Sequence, residues 1–159
     1  MASSTDQDSP AIRMPPLVIF FILLILASLA EYWFGFFRVT PLRGLIWIVA
    51  ALIWIFAGYL ALHAVVVLKR GGTPIDPSRS AINIVASGPF RISRNPMYLS
   101  LVLLMLGLSV AFLSIWFLIA TILLMVTLDR MAVVPEEAYL EAKFGDVYRT
   151  YQSSVRRWF

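Results

Sequence analysis

Between Gly88 and Tyr98 the chain reads Gly-Pro-Phe-Arg-Ile-Ser-Arg-Asn-Pro-Met-Tyr, and residue types capable of chemistry are concentrated there. Gly88-Pro89 interrupts regular structure, since Gly tolerates positive φ and Pro lacks a backbone donor. Arg91 and Arg94 follow, and Asn95-Pro96 has the form of a helix start, with Asn as N-cap and Pro in the first helical position. The residues after Pro96 are apolar, so a helix beginning there leaves a water boundary and enters a bilayer. Its N-terminus carries about half a positive charge from the aligned peptide dipoles, and two guanidinium groups lie beside it. That setting suits an anion. A second set follows at Pro135-Glu136-Glu137, where two carboxylates fall in the first turn of a further helix. A ligand bearing both a carboxylate and a cation would fit between the two sets. Plainer explanations exist for each: basic residues anchoring a transmembrane helix, and acidic residues compensating a helix dipole.

Both sets sit at the ends of long apolar blocks. With 60% hydrophobic and only 14% charged residues, the 159-residue chain is not a water-soluble globule and reads as one membrane-embedded domain. The net charge of +4 comes from basic residues flanking the blocks, which fits membrane anchoring and argues against a nucleic-acid partner. The absence of cysteine excludes disulfides, thiolate metal sites and cysteine nucleophiles. A single histidine, His63, provides no cluster for a metal, and it reads as a packing residue.

Residues 1–16 are expected to form a mobile tail and residues 17–37, 45–68, 97–112 and 114–131 to form membrane helices. Residues 135–159 are expected to form a cytoplasmic C-terminal segment. Ala27-Ser28-Leu29-Ala30 resembles a cleavage site, but the apolar run continues through Trp33, Phe34, Phe36 and Phe37, so the first span is read as retained. Glu31 near its outer end is expected to pair with Arg38 or Arg43, because an intramembrane acid is costly alone. As a single helix, the block from Leu99 to Leu128 would run roughly 45 Å against a bilayer core of about 30 Å. A turn near Phe112 to Ser114 divides it into a hairpin. The basic residues agree: with four spans, Arg13, the 69–96 loop and the C-terminal segment share one side, and Arg38 and Arg43 lie opposite. The expected fold is therefore all-α and integral to the membrane, with four transmembrane helices, both termini cytoplasmic and a C-terminal helical segment. In that segment Leu140, Phe144, Val147, Tyr148 and Tyr151 are expected on one face, with a break at Gly145, a restart at Asp146 and an interfacial anchor at Arg156-Arg157-Trp158-Phe159.

Gly88-Pro89-Phe90 and Arg94-Asn95-Pro96-Met97-Tyr98, followed by Glu136-Glu137, Leu140, Phe144-Gly145, Tyr148 and Tyr151, resemble the motifs of one family. It is the family of membrane-embedded methyltransferases that includes isoprenylcysteine carboxyl methyltransferase and the phospholipid N-methyltransferases. The likeness covers residues 70 to 158 and implies S-adenosylmethionine as methyl donor, bound at the cytoplasmic face, with a lipophilic acceptor drawn from the bilayer. By motif position, donor binding falls on Ile82, Asn83, Ile84, Val85, Phe90, Asn95, Pro96, Met97, Tyr98 and Glu136. Arg94, Asn95 and Glu137 are the catalytic candidates. Asn95 stands where the carboxyl methyltransferases usually have His. Ala132 stands where the eukaryotic enzymes have a substrate-recognising Arg, with Arg130 the nearest alternative. A carboxylate acceptor needs no base, whereas an amine acceptor must lose a proton, for which Glu137 is the candidate. An NADPH-dependent reductase related to sterol reductases would be expected to have a longer chain with more spans. A non-catalytic small membrane protein stays open as a further alternative.

Overall fold

A computed structural model describes residues 10, 14–35, 42–76 and 79–158. Most of the expected tail, together with Phe36, Phe37, Arg38 and Phe159, lies outside the described residues. Six α-helices occur among the described residues: α1 (Pro16–Phe34), α2 (Arg43–Arg70), α3 (Pro96–Phe112), α4 (Ile115–Leu128), α5 (Val134–Phe144) and α6 (Asp146–Ser154). No strand occurs among the described residues. The helices pack in the spatial order α1, α4, α3, α2, so the central pair is the hairpin formed by α3 and α4.

Among the described residues three helical stretches, α1, α2 and the continuous rod Ile115–Phe144, are long and apolar enough to cross a membrane, and α3 is a shorter apolar helix. Their outward faces are greasy: Leu52, Ile55 and Leu62 of α2 are each at least 60% exposed. Contiguous apolar surface on this scale is incompatible with water and is what lipid covers. Inward, α2 buries Ala50, Ala57, Leu60, Ala64 and Val67 at helical spacing. Small residues there let α3 approach closely, as helices in lipid require. At the crossing, the Trp54 indole N–H donates to the Leu104 carbonyl at 3.2 Å, and a Cβ on Gly107 would collide with that indole.

The expected turn between α3 and α4 is present. Leu113 takes a left-handed conformation with φ +51°, and Ser114 caps α4 by accepting the Phe117 N–H. Among the described residues the Ser114 hydroxyl, at the N-cap of α4, donates to Glu31 and no ion pair joins Glu31 to Arg43; the expected pairing with Arg38 lies outside the described residues.

Two expectations about the C-terminal segment are corrected. Pro135 does not open a new helix. The backbone instead widens into a π turn over Asp129–Val133, in which the Val134 N–H reaches the Asp129 carbonyl five residues back. Inside an α-helix the proline ring would meet the carbonyl four residues earlier, and the widened turn avoids that contact without ending the helix. Glu136 and Glu137 are therefore in the middle of a rod, away from any free helix end, and dipole compensation does not account for them. The break does fall at Gly145, with φ +55°, and α6 begins at Asp146. That break rephases the chain, so Tyr148 and Tyr151 are buried while Val147 is 66% exposed.

Candidate functional site

The ends of α2 and α3 that meet α5 and α6 surround a cleft open on one side. Its first wall is the loop after α2, which is tied into shape by its own side chains. The Asn83 amide donates to the Gly71 carbonyl at 3.0 Å, the Thr73 hydroxyl donates to the Asn83 carbonyl at 3.0 Å, and the Asn83 N–H returns to the Thr73 hydroxyl at 3.2 Å. The far end of this loop is clipped to α5, where the Tyr139 hydroxyl accepts the Ala81 N–H at 3.2 Å. Asp76 is exposed and faces Arg79 at 3.7 Å at the mouth.

A 3₁₀ turn, Gly88–Arg91, leads into α3. Gly88 has φ +57°, and a Cβ there would stand 3.2 Å from His63 Nε2, so glycine permits both the turn and the close passage over α2. His63 in turn bonds the Tyr59 hydroxyl at 3.0 Å, consistent with packing. Pro96 is the first residue of α3, but Asn95 does not cap it with its side chain. Its amide donates instead to the Arg157 carbonyl at 3.3 Å.

At the base of the cleft, the Tyr98 hydroxyl donates to Glu136 Oε2 at 2.8 Å, which orients one carboxylate oxygen on the opposite wall. The neighbouring Glu137 points elsewhere. It is buried and accepts Arg157 Nε on Oε1 at 3.2 Å and Nη2 on Oε2 at 2.7 Å, and Arg94 Nη2 meets the same Oε1 at 3.0 Å. Asp129 extends the network to Arg157 Nη1 at 3.3 Å and to the Trp158 indole N–H at 3.2 Å. Bidentate hydrogen bonding to Glu137 is the main reason the Arg157 guanidinium is held still more firmly protonated. Arg94 lies in the cleft wall with its side chain 9% exposed, and its Nε is buried with no hydrogen-bond partner among the described residues. The third wall carries Tyr148 and Tyr151, tilted against each other at 6.1 Å, with the Tyr151 hydroxyl donating to the Phe90 carbonyl at 2.7 Å. Burial pushes both phenols above their ordinary range, against the lowering effect of nearby Arg94, so both remain protonated donors.

Of the sequence-predicted residues, the structure brings Asn83, Ile84, Val85, Phe90, Arg94, Asn95, Pro96, Met97, Tyr98 and Glu136 to this cleft. It does not bring three others. Ile82 is 61% exposed, Arg130 is exposed away from the wall, and Glu137 is enclosed in the ion-pair network. Glu137 thus has both oxygens committed to guanidinium groups and is poorly suited to act as a base. Arg157 is not among the expected site residues, and Asp129 at the end of α4 reads in the sequence either as pocket lining or as a marker of the water boundary. In the sequence Arg157 reads only as part of a membrane anchor, and its pairing with the buried Glu137 depends on a return of the chain that periodicity does not reveal. The cleft can therefore present one oriented carboxylate, one under-partnered guanidinium and an aromatic, apolar lining.

A family model described as phospholipid methyltransferase matches residues 45–147, more than half of the chain. The chain belongs to that family of membrane methyltransferases. An uncharacterised protein of Haemophilus influenzae is 41% identical over 68 residues, which cover 39% of this chain and 98% of that protein. No solved structure gives a significant match.

Proposed function

We propose that the protein transfers a methyl group from S-adenosylmethionine to a lipophilic acceptor at the cytoplasmic face of the membrane. The observation that carries this reading is the opposed pair in the cleft: Glu136, oriented by Tyr98, and Arg94, buried with an unmet Nε. The donor's amino-acid end bears one ammonium and one carboxylate, which match these two groups. Ile84, Val85, Phe90, Tyr148 and Tyr151 offer apolar and aromatic surface for the rest of such a molecule. When bound, the donor supplies an electrophilic methyl on a sulfonium. The chain's contribution is to hold and orient, since a displacement in which charges largely cancel gains most from positioning and from exclusion of water.

The acceptor is a carboxylate of a prenylated thiol-acid or a polar lipid head group. With Glu137 neutralised, Glu136 is the carboxylate at the base of the cleft that could take a proton from an amine acceptor, and a carboxylate acceptor requires none. Four spans are favoured, with α3 as the short one. Seventeen residues reach about 25 Å, slightly less than a bilayer core of about 30 Å. The rod through α4 and α5 is longer than the core and carries its polar half into the cytoplasm. The basic residues of the 69–96 loop and the C-terminal segment then share one side with the N-terminal tail. The protein is read as a single domain over residues 1–159.

The test is equilibrium binding of radiolabelled S-adenosylmethionine to detergent-purified protein, followed by transfer of label to native membranes. Saturable binding and label in lipid or lipidated acceptors are expected. Absence of binding in folded protein would remove the donor assignment.

A further inference from the structure

The last residues described, 155–158, run back across the start of α3 as a strap. The Arg94 N–H donates to the Arg156 carbonyl at 3.0 Å, and the Ser93 hydroxyl donates to the Arg157 carbonyl at 2.8 Å. The Asn95 amide reaches the same Arg157 carbonyl at 3.3 Å. The side chain of Arg157 then grips Glu137 with two N–H groups, and Glu137 in turn holds Arg94 at 3.0 Å. Arg94 is thus fixed twice by one short segment, through its backbone and through a shared carboxylate.

The charges explain why both contacts are needed. A buried carboxylate is costly unless paired, and Glu137 is only 9% exposed along its side chain. If Arg157 were lost, Arg94 would be the partner left to neutralise Glu137. It would then be drawn into a tighter pair, away from the cleft. With Arg157 supplying two of the hydrogen bonds to Glu137, Arg94 contributes only Nη2 to it. Its Nη1 lies 3.5 Å from the Gln152 carbonyl, so Nε is the guanidinium nitrogen left unpartnered, in a residue of the cleft wall.

We infer that Arg157 is a positioning residue for the methyl donor: by sharing Glu137 it keeps the Arg94 guanidinium available to the donor's carboxylate. The inference rests on the donor reading above. It predicts a selectivity that a purely structural role would not produce. Arg157 should matter for a donor that carries the carboxylate and should be nearly irrelevant for one that lacks it.

The experiment measures affinities of S-adenosylmethionine and of decarboxylated S-adenosylmethionine, by calorimetry or competition, for the full chain and for Arg157→Ala and Arg157→Lys in detergent. For S-adenosylmethionine, Arg157→Ala should weaken binding about ten- to a hundredfold, as loss of one charge-assisted hydrogen bond implies. For the decarboxylated analogue the change should stay within about twofold, the scale of a rearrangement that removes no contact to the ligand. Arg157→Lys keeps the charge but not the fork, so it should show the same selectivity to a smaller degree, and it carries the test if the alanine variant does not fold. Equal loss for both ligands, or no loss for either, overturns the inference. Failure of the unmodified protein to bind either ligand overturns the donor reading and the inference with it, and is distinguished by appearing before any substitution.

Discussion

Replacing Glu136 by Gln isolates the charge of the one carboxylate oriented at the base of the cleft. The glutamine carbonyl can still accept the Tyr98 hydroxyl, now 2.8 Å from Oε2, so packing and hydrogen bonding within the wall are retained. What disappears is the attraction for a ligand ammonium. Two unit charges about 4 Å apart interact by about 4 kcal/mol at the effective dielectric of a protein edge, and the open mouth of the cleft reduces this further. The loss should match that of a charge-assisted hydrogen bond, about 1.5–3 kcal/mol, or roughly ten- to a hundredfold in affinity for S-adenosylmethionine. Tyr98→Phe keeps the charge but frees the carboxylate to rotate, so a smaller loss of about 1 kcal/mol, roughly fivefold, is expected. Glu31→Gln serves as the control, because Glu31 bonds Ser114 at the opposite end of the bundle. Equilibrium binding of radiolabelled donor at pH 8, with thermal melts run on the same samples, reads all three. Binding by Glu136→Gln within twofold of the unmodified protein refutes the assignment. So does an equal loss in Glu31→Gln, which would reduce the effect to general destabilisation.

Glu137→Gln breaks a buried carboxylate shared by two guanidinium groups and should destabilise the fold by about 3–5 kcal/mol, visible as a lowered melting midpoint; a variant that melts normally but loses only amine turnover would restore Glu137 as a base. Gly107→Ala should cost about 1–3 kcal/mol through collision with Trp54, and combining it with Trp54→Phe should recover part of that loss. Single cysteines at Ser87 and Ser153 should react from the same side of the membrane and one at Thr40 from the other; opposite labelling of Ser87 and Ser153 would rule out the four-span arrangement. With native membranes, labelled methyl groups should appear in the organic-extractable fraction or on a lipidated acceptor. Alkali should release methanol from an ester and leave an N-methyl group intact. Label confined to water-soluble small molecules would exclude access from the lipid.

The features legible in the sequence are those set by local chemistry. Apolar blocks, the Pro96 start of α3, the turn at Phe112 to Ser114 and the glycine break at Gly145 each follow from a few adjacent residues, and each occurs in the structure. Local rules failed where a distant segment changed the balance. Asn95 has the composition of a side-chain cap, yet its amide serves the returning strap at Arg157. Pro135 has the composition of a helix start, yet tertiary packing carries the helix past it by widening one turn. Val147 fits the apolar spacing of α5 but lies beyond the break that rephases α6, and is exposed.

The acidic pair shows best why spacing alone does not assign roles. Glu136 and Glu137 are adjacent and chemically alike, and no sequence rule separates them. Successive residues on a helix point about 100° apart, so only one of them can face the cleft. Tyr98 from α3 meets Glu136 across the cleft, while Arg94 and Arg157 meet Glu137 behind it. The second carboxylate thereby holds the cation that the first one opposes. A charge pattern that reads as two potential acids in one motif becomes, in three dimensions, one cleft-facing carboxylate and one carboxylate that pairs with the arginine of the cleft wall.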